Sequence, residues 1–167
     1  MSELLSAIEI ETADHPRYSV IWLHGLGADG SDFSPVIPEL RLDPALAIRF
    51  IFPHAPFIPV SCNGGYVMRA WYDIITLDTT SREIDEAGVL SARASIRALI
   101  ERENRRGIPN ERIVLIGFSQ GGAVAYMTAL THPETLAGIA ALSTYIPSPR
   151  LLAAELSEAN KSIPVFI

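Results

Sequence analysis

The sequence predicts an α/β domain built on an open, mostly parallel sheet with helices on both faces. Three observations predict it. Apolar, strand-like runs alternate with helix-patterned segments along the chain. The runs are apolar throughout rather than alternating in and out, as strands covered on both faces must be. Two of them, "YSVIWL" and "RIVLIG", lead straight into glycine-rich turns, and ligands of such sheets bind beyond the carboxyl ends of the strands.

The elements follow in order. "AIEIET" (7–12) and the continuous apolar "YSVIWL" (18–23) read as strands, "PVIPEL" (35–40) as a short helix, and "AIRFIFP" (47–53) as a strand stopped by Pro53. The segment 54–80 holds two prolines, Pro56 and Pro59, and the pair Gly64-Gly65; it reads as a long loop, and loops of that length tend to be functional. A helix is predicted over 81–107, with an apolar stripe at Val89, Ala92, Ile96, Leu99 and Ile100 and with Gly107 and Pro109 as stop signals. "RIVLIG" (112–117) is a buried strand, "GGAVAYMTAL" (121–130) a helix of small residues, and "LAGIAALS" (136–143) a strand. "SPRLLAAELSEA" (148–159) is helical with Ser148 as cap before Pro149, and "IPVFI" (163–167) opens another strand.

Composition narrows the function classes. Apolar residues make up 49% of the 167, which is globular rather than disordered, and the length suits a single domain spanning 1–167. A net charge of −6 without Lys/Arg clusters argues against nucleic-acid binding. The one basic stretch, "ENRRG" at 103–107, reads as the charged end of a helix whose dipole favours cations there. Cys62 is the sole cysteine, so neither an internal disulfide nor a cysteine metal site is expected. The start carries acids rather than a signal-peptide pattern, and no apolar run approaches the roughly 18 residues a membrane helix needs. A cytoplasmic location is the default expectation.

The turn after "RIVLIG" reads Gly117-Phe118-Ser119-Gln120-Gly121, a G-x-S-x-G between a strand and a helix. A serine on so tight a turn is held with its hydroxyl above the sheet, and glycines at ±2, with Gly122, leave it room. The helix that follows turns its N-terminal N–H groups toward developing negative charge. This context marks Ser119 as a nucleophile. The other turn, Gly25, Gly27 and Gly30, spells the G-x-G-x-x-G of dinucleotide sites. Such sites need an acid at the end of the next strand to hold the ribose, and here that strand ends in Phe52 and Pro53. The better reading is the second half of an oxyanion hole, with a backbone N–H turned toward Ser119.

Taken together, "VIWLHGLGADG", "PHAPFIPV", "NGGY.M..WYDI", "GFSQGGAV" and "LSTYIP" resemble, in order, the acyl-protein thioesterase/bacterial carboxylesterase family of α/β-hydrolases. The resemblance implies hydrolysis of carboxylic esters or acyl thioesters through an acyl-serine on Ser119, with no cofactor and no metal. It implies an oxyanion hole from the N–H groups of Leu26 and Gln120. It also implies an acyl-chain groove lined by Leu26, Ile75 and Tyr145, with "WYDI" shaping its wall. Arg69-Ala70 departs from the small or proline residues the pattern has before Trp71.

Triad partners in this fold follow the serine, acid first and histidine second. After Ser119 there is no aspartate and one histidine, His132, about 20 Å away along a helix at 1.5 Å per residue. His15 reads as exposed and His54 as fixing its loop by hydrogen bonding, and the resemblance implies that His24 organises the oxyanion loop. Asp73 reads as bonding backbone near "WYDI", and Glu134, Glu155 and Glu158 as solvated. The expectation is therefore a C-terminally truncated hydrolase that lacks its last strand, closing helix and triad Asp and His, roughly 40–60 residues. Alone it would be weakly active or inactive, and its exposed sheet edges could favour a homodimer. The alternative is a non-catalytic acyl-chain-binding or interaction protein derived from the same fold.

Overall fold

The computed structural model describes residues 4–76 and 83–167. Six strands form one sheet: β1 (Ala7–Glu11), β2 (Tyr18–Leu23), β3 (Ile48–Pro53), then β6 (Ile113–Phe118), β7 (Gly138–Leu142) and β8 (Val165–Phe166). Their order across the sheet is β1-β3-β2-β6-β7-β8, with β1 antiparallel to β3 and all other pairs parallel. From β2 the chain steps outward to β3, then crosses back to lay β6 on the other side of β2. The strand order thus reverses between β2 and β6, and the register sets Leu23 beside Gly117 at their carboxyl ends. The two glycine-rich turns singled out in the sequence leave the sheet side by side at this switch point, where open α/β sheets bind ligands.

The apolar strands serve two faces. Ile21, Leu23, Ile51, Ile113, Leu115 and Ala141 point to the side covered by α1 (Glu86–Arg105) and α2 (Gln120–Leu130). Val89, Ile96 and Leu99 of the predicted stripe and Val124 and Met127 of α2 are fully buried against them. Leu151 and Leu152 of α3 (Pro149–Glu155) pack on this same side. The opposite side gathers Val20, Trp22, Ile48, Phe50 and Phe52 under Ile37 of a 3₁₀ segment, Ser34–Leu40. Among the described residues the three α-helices therefore share one face and the 3₁₀ segment lies on the other. Pro38, inside "SPVIPEL", removes a backbone donor that a true α-helix would use, whereas Pro35 stands in the first turn, where proline is tolerated.

Helix ends follow the anticipated chemistry. Ser148 Oγ accepts the Leu151 N–H at 3.2 Å. At the end of α1, Gly107 sits at φ +93°. Its N–H donates to Asn104 O and that of Ile108 to Glu103 O, each at 3.0 Å, a Schellman closure. The start of the predicted 81–107 helix is later than expected: Ser81 and Arg82 lie outside the described residues, and Ile84 pairs with Ile74 as an isolated bridge before Glu86.

The segment read as a long loop contains a hairpin, β4 (Phe57–Val60) with β5 (Tyr66–Arg69). Its turn passes through Gly64 and Gly65 at φ +65° and +78°. Pro59 is tolerated because a two-stranded ribbon leaves every strand an edge. Among the described residues no helix is long and apolar enough to cross a membrane.

Candidate active site

Between β6 and α2, Ser119 stands at φ +51°, ψ −118°, a conformation that non-glycine residues adopt only when their surroundings impose it. Three bonds impose it here. The Ser119 N–H donates to Leu142 O of β7 at 2.9 Å, and its carbonyl accepts from Ala123 N at 3.1 Å and from Thr144 Oγ1 at 2.6 Å. The flanking glycines are steric necessities. A Cβ at Gly117 would lie 2.4 Å from Gly121 O, and one at Gly121 would lie 2.4 Å from His24 O. The second contact also shows that the turn after β2 presses directly on the start of α2.

The turn after β2 is braced from three sides. The Gly27 N–H donates to Arg69 O at 2.8 Å, and the Gly30 N–H to His54 Nδ1 at 3.0 Å. His24, 1% exposed, accepts the Ala55 N–H on Nε2 at 3.0 Å and donates from Nδ1 to Gly25 O at 2.7 Å. Those partners require the neutral imidazole protonated on Nδ1, and burial, the largest influence, holds its pKa below the usual 6.5. With both nitrogens engaged, His24 organises the loop as expected. Arg69, the residue out of pattern, places its guanidinium 4.3 Å from the centre of the Phe57 ring and donates to Ala55 O at 2.6 Å. It thereby ties the hairpin to the same loop.

The remaining sequence candidates separate. Leu26 and Tyr145 are half-buried and pack on the cluster beneath the two turns. The Tyr145 hydroxyl meets that of Tyr72 at 2.5 Å. Ile75 is 40% exposed, with its N–H donated to Glu83 O. Asp73 accepts the Ser61 N–H at 2.7 Å and the Ser61 hydroxyl at 2.5 Å, so its partner is the turn of the hairpin. His132 is buried past the end of α2, where burial and then Arg97 lower its pKa. His15 is exposed. Glu155 and Glu158 are exposed and paired with Arg93 and Lys161, and Glu134 is exposed. Among the described residues, no imidazole or carboxylate is hydrogen-bonded to Ser119 Oγ.

Two side chains in the site escaped the sequence reading. The motif assigns Gln120 a role only through its backbone, yet its side chain is buried and bonded at both ends: Oε1 accepts the Trp71 N–H at 2.8 Å and Nε2 donates to Tyr72 O at 2.7 Å. Thr144 holds the Ser119 carbonyl. A buried polar side chain one residue from the nucleophile carries no periodic signal. Only the pairing of two distant loops reveals it.

Comparison with known proteins now bears on the arrangement. The family model described as Phospholipase/Carboxylesterase matches residues 6–167. The chain belongs to the phospholipase/carboxylesterase family. Membership places it among enzymes of the serine esterase and thioesterase type. Among its relatives is acyl-protein thioesterase 1 of Cryptococcus neoformans var. neoformans serotype D, 42% identical over 168 residues that take in 99% of this chain and 70% of the relative. Acyl-protein thioesterase 1 of Mycosarcoma maydis is 41% identical over 160 residues, 90% of this chain and 67% of that one. Of solved structures, Arabidopsis thaliana SOBER1 superposes with a TM-score of 0.83 at 36% identity, covering 89% of this chain and 71% of SOBER1. Zea mays acyl-protein thioesterase 2 gives 0.79 at 26% identity, with 96% and 73% covered. The phospholipase/carboxylesterase assignment agrees with the α/β-hydrolase fold expected from the motifs.

Proposed function

We propose that the protein hydrolyses carboxylic esters or acyl thioesters in two steps through an acyl-serine, and that residues 1–167 act as one α/β-hydrolase domain in doing so. The carrying observation is the strained Ser119 at the switch point of the sheet. In the first step Ser119 Oγ attacks the acyl carbonyl, its proton passes to a base, and the alcohol or thiol leaves; in the second, water releases the acid. The carbonyl oxygen, negative in between, is received by the N–H groups of Leu26 and Gln120. The second of these opens α2, whose dipole adds to the attraction. Leu26, Ile75 and Tyr145 contact the acyl chain. Similarity to acyl-protein thioesterases at 41–42% identity supports an S-acyl chain as one substrate.

Because none of the four imidazoles is hydrogen-bonded to Ser119 Oγ among the described residues, a polypeptide of residues 1–167 alone is expected to turn over weakly. It would keep only the roughly 10³–10⁴-fold that binding and oxyanion donors supply. That same observation favours a second reading, an acyl-chain-binding protein without chemistry. The protein as its gene encodes it distinguishes the two. Hydrolysis of both a p-nitrophenyl ester and an S-acyl peptide, with a burst of p-nitrophenol ahead of steady turnover, is the expected outcome. Tight binding of the acyl chain with no product released would replace the enzyme by the binding protein.

A further inference from the structure

We propose that Trp71 and the side chain of Gln120 are positioning residues that together set the distance between the two oxyanion donors, Leu26 N and Gln120 N. The inference rests on the reading of Ser119 as nucleophile and adds to it the device that holds its oxyanion hole in register.

The two donors belong to different elements. Leu26 lies on the turn after β2 and Gln120 at the first position of α2. An oxyanion hole works only if both N–H groups converge on one oxygen at about 2.7–3.1 Å, so the relative placement of these elements must be held to a few tenths of an ångström. Trp71 reaches both. Its main-chain N–H donates to Gln120 Oε1 at 2.8 Å, and its indole N–H donates to His24 O, also at 2.8 Å. From His24 the link continues to the donor loop. The imidazole, 5.1 Å from the indole centre, donates to Gly25 O at 2.7 Å, one residue before Leu26. Gln120 closes the other end by donating to Tyr72 O at 2.7 Å, so its amide spans two successive residues of the 71–72 segment.

Every group in the bridge is nearly sealed from water: Trp71 is 3% exposed, and His24 and Gln120 1% each. Water cannot replace a lost bond there, so losing one moves the elements instead. The close approach of Gly121 to His24 O shows that the walls already touch, which leaves the bridge to fix their lateral offset.

Trp71→Phe keeps the ring and removes only the indole donor; Gln120→Met keeps the length and removes both amide bonds. Each is expected to lower kcat for p-nitrophenyl butyrate about tenfold to 100-fold, the cost of a donor misplaced by a fraction of an ångström, with KM changed less than about twofold. Binding of a trifluoromethyl ketone, whose serine adduct carries an oxyanion, should weaken by the same factor as kcat/KM. The double variant should fall little below the weaker single one, because both changes break one bridge. Retained kcat with only a lowered Tm, or losses that multiply in the double variant, would overturn the bridge. Should wild-type turnover survive in Ser119→Ala, it is the nucleophile reading that fails, and the bridge with it.

Discussion

Ser119→Ala is expected to reduce kcat for ester and thioester hydrolysis by about 10⁴-fold or more, the loss seen when a hydrolase is stripped of its nucleophile. Stability should respond differently. Among the described residues Ser119 Oγ makes no hydrogen bond, so Ser119→Ala removes none and leaves Tm close to wild type. Ser119→Gly removes the strain as well. A side chain held at φ +51°, ψ −118° costs on the order of 1–3 kcal/mol. Glycine returns roughly 0.5–1 kcal/mol of that through its freer unfolded chain. The glycine variant should therefore be about 1 kcal/mol more stable than the alanine variant while equally inactive, measured by urea denaturation at pH 7. The same backbone that exposes the hydroxyl is the one that strains the fold, and this pair of variants separates the two effects.

Glu103→Ala is expected to destabilise the protein by about 3–5 kcal/mol, the range for breaking a buried ion pair from one side. Glu103 lies in the last turn of α1 with no exposure at all. Its Oε2 accepts from Arg49 Nη1 at 2.7 Å and Ser19 Oγ at 2.6 Å, and its Oε1 accepts from Arg106 Nη1 at 2.9 Å. Removing the carboxylate leaves Arg49, itself only 8% exposed, to Glu11 and the longer ion pair with Glu9, and leaves the buried Ser19 hydroxyl without an acceptor. Burial pushes the Glu103 carboxyl upward, but the bonds from Ser19, Arg49 and Arg106 outweigh it and hold the pKa below the ordinary 4.5. A group whose folded pKa is depressed contributes stability above its unfolded value and loses it as pH falls through the folded one. Wild type should thus lose stability below about pH 4.5, and the Glu103→Gln variant, already less stable at pH 7, should show a shallower loss over that interval. Equal slopes for the two proteins would remove Glu103 from the account.

How far the sequence could be read depended on whether the controlling interaction was local. β2 was legible to the residue because "YSVIWL" is a continuous apolar run bounded by polar turns. The stripe of α1 was legible because its period is helical, and the Ser119 turn because strand, serine, glycines and helix are consecutive. The hairpin was missed since Pro59 reads against a strand, although Gly64-Gly65 marked its turn. "ENRRG" was legible as the charged end of a helix, and Arg102 and Arg105 do stand in the last turn of α1 as the dipole favours; the burial of Glu103 was not. Its partners Arg49 and Ser19 come from β3 and β2, and Arg102 and Arg106 reach Glu9 of β1. No spacing along the chain announces that convergence. The role of Gln120 was hidden for the same reason: the donor and acceptor it satisfies lie 49 and 48 residues away.

The central claim, that Ser119 is the activated nucleophile, is tested most directly by treating the protein as its gene encodes it with a fluorophosphonate and locating the adduct by peptide mass spectrometry. A single phosphonyl group on the peptide bearing Ser119, absent after denaturation before labelling, is the predicted result. A native protein left unlabelled, or one labelled at another serine while ester hydrolysis proceeds, would contradict it.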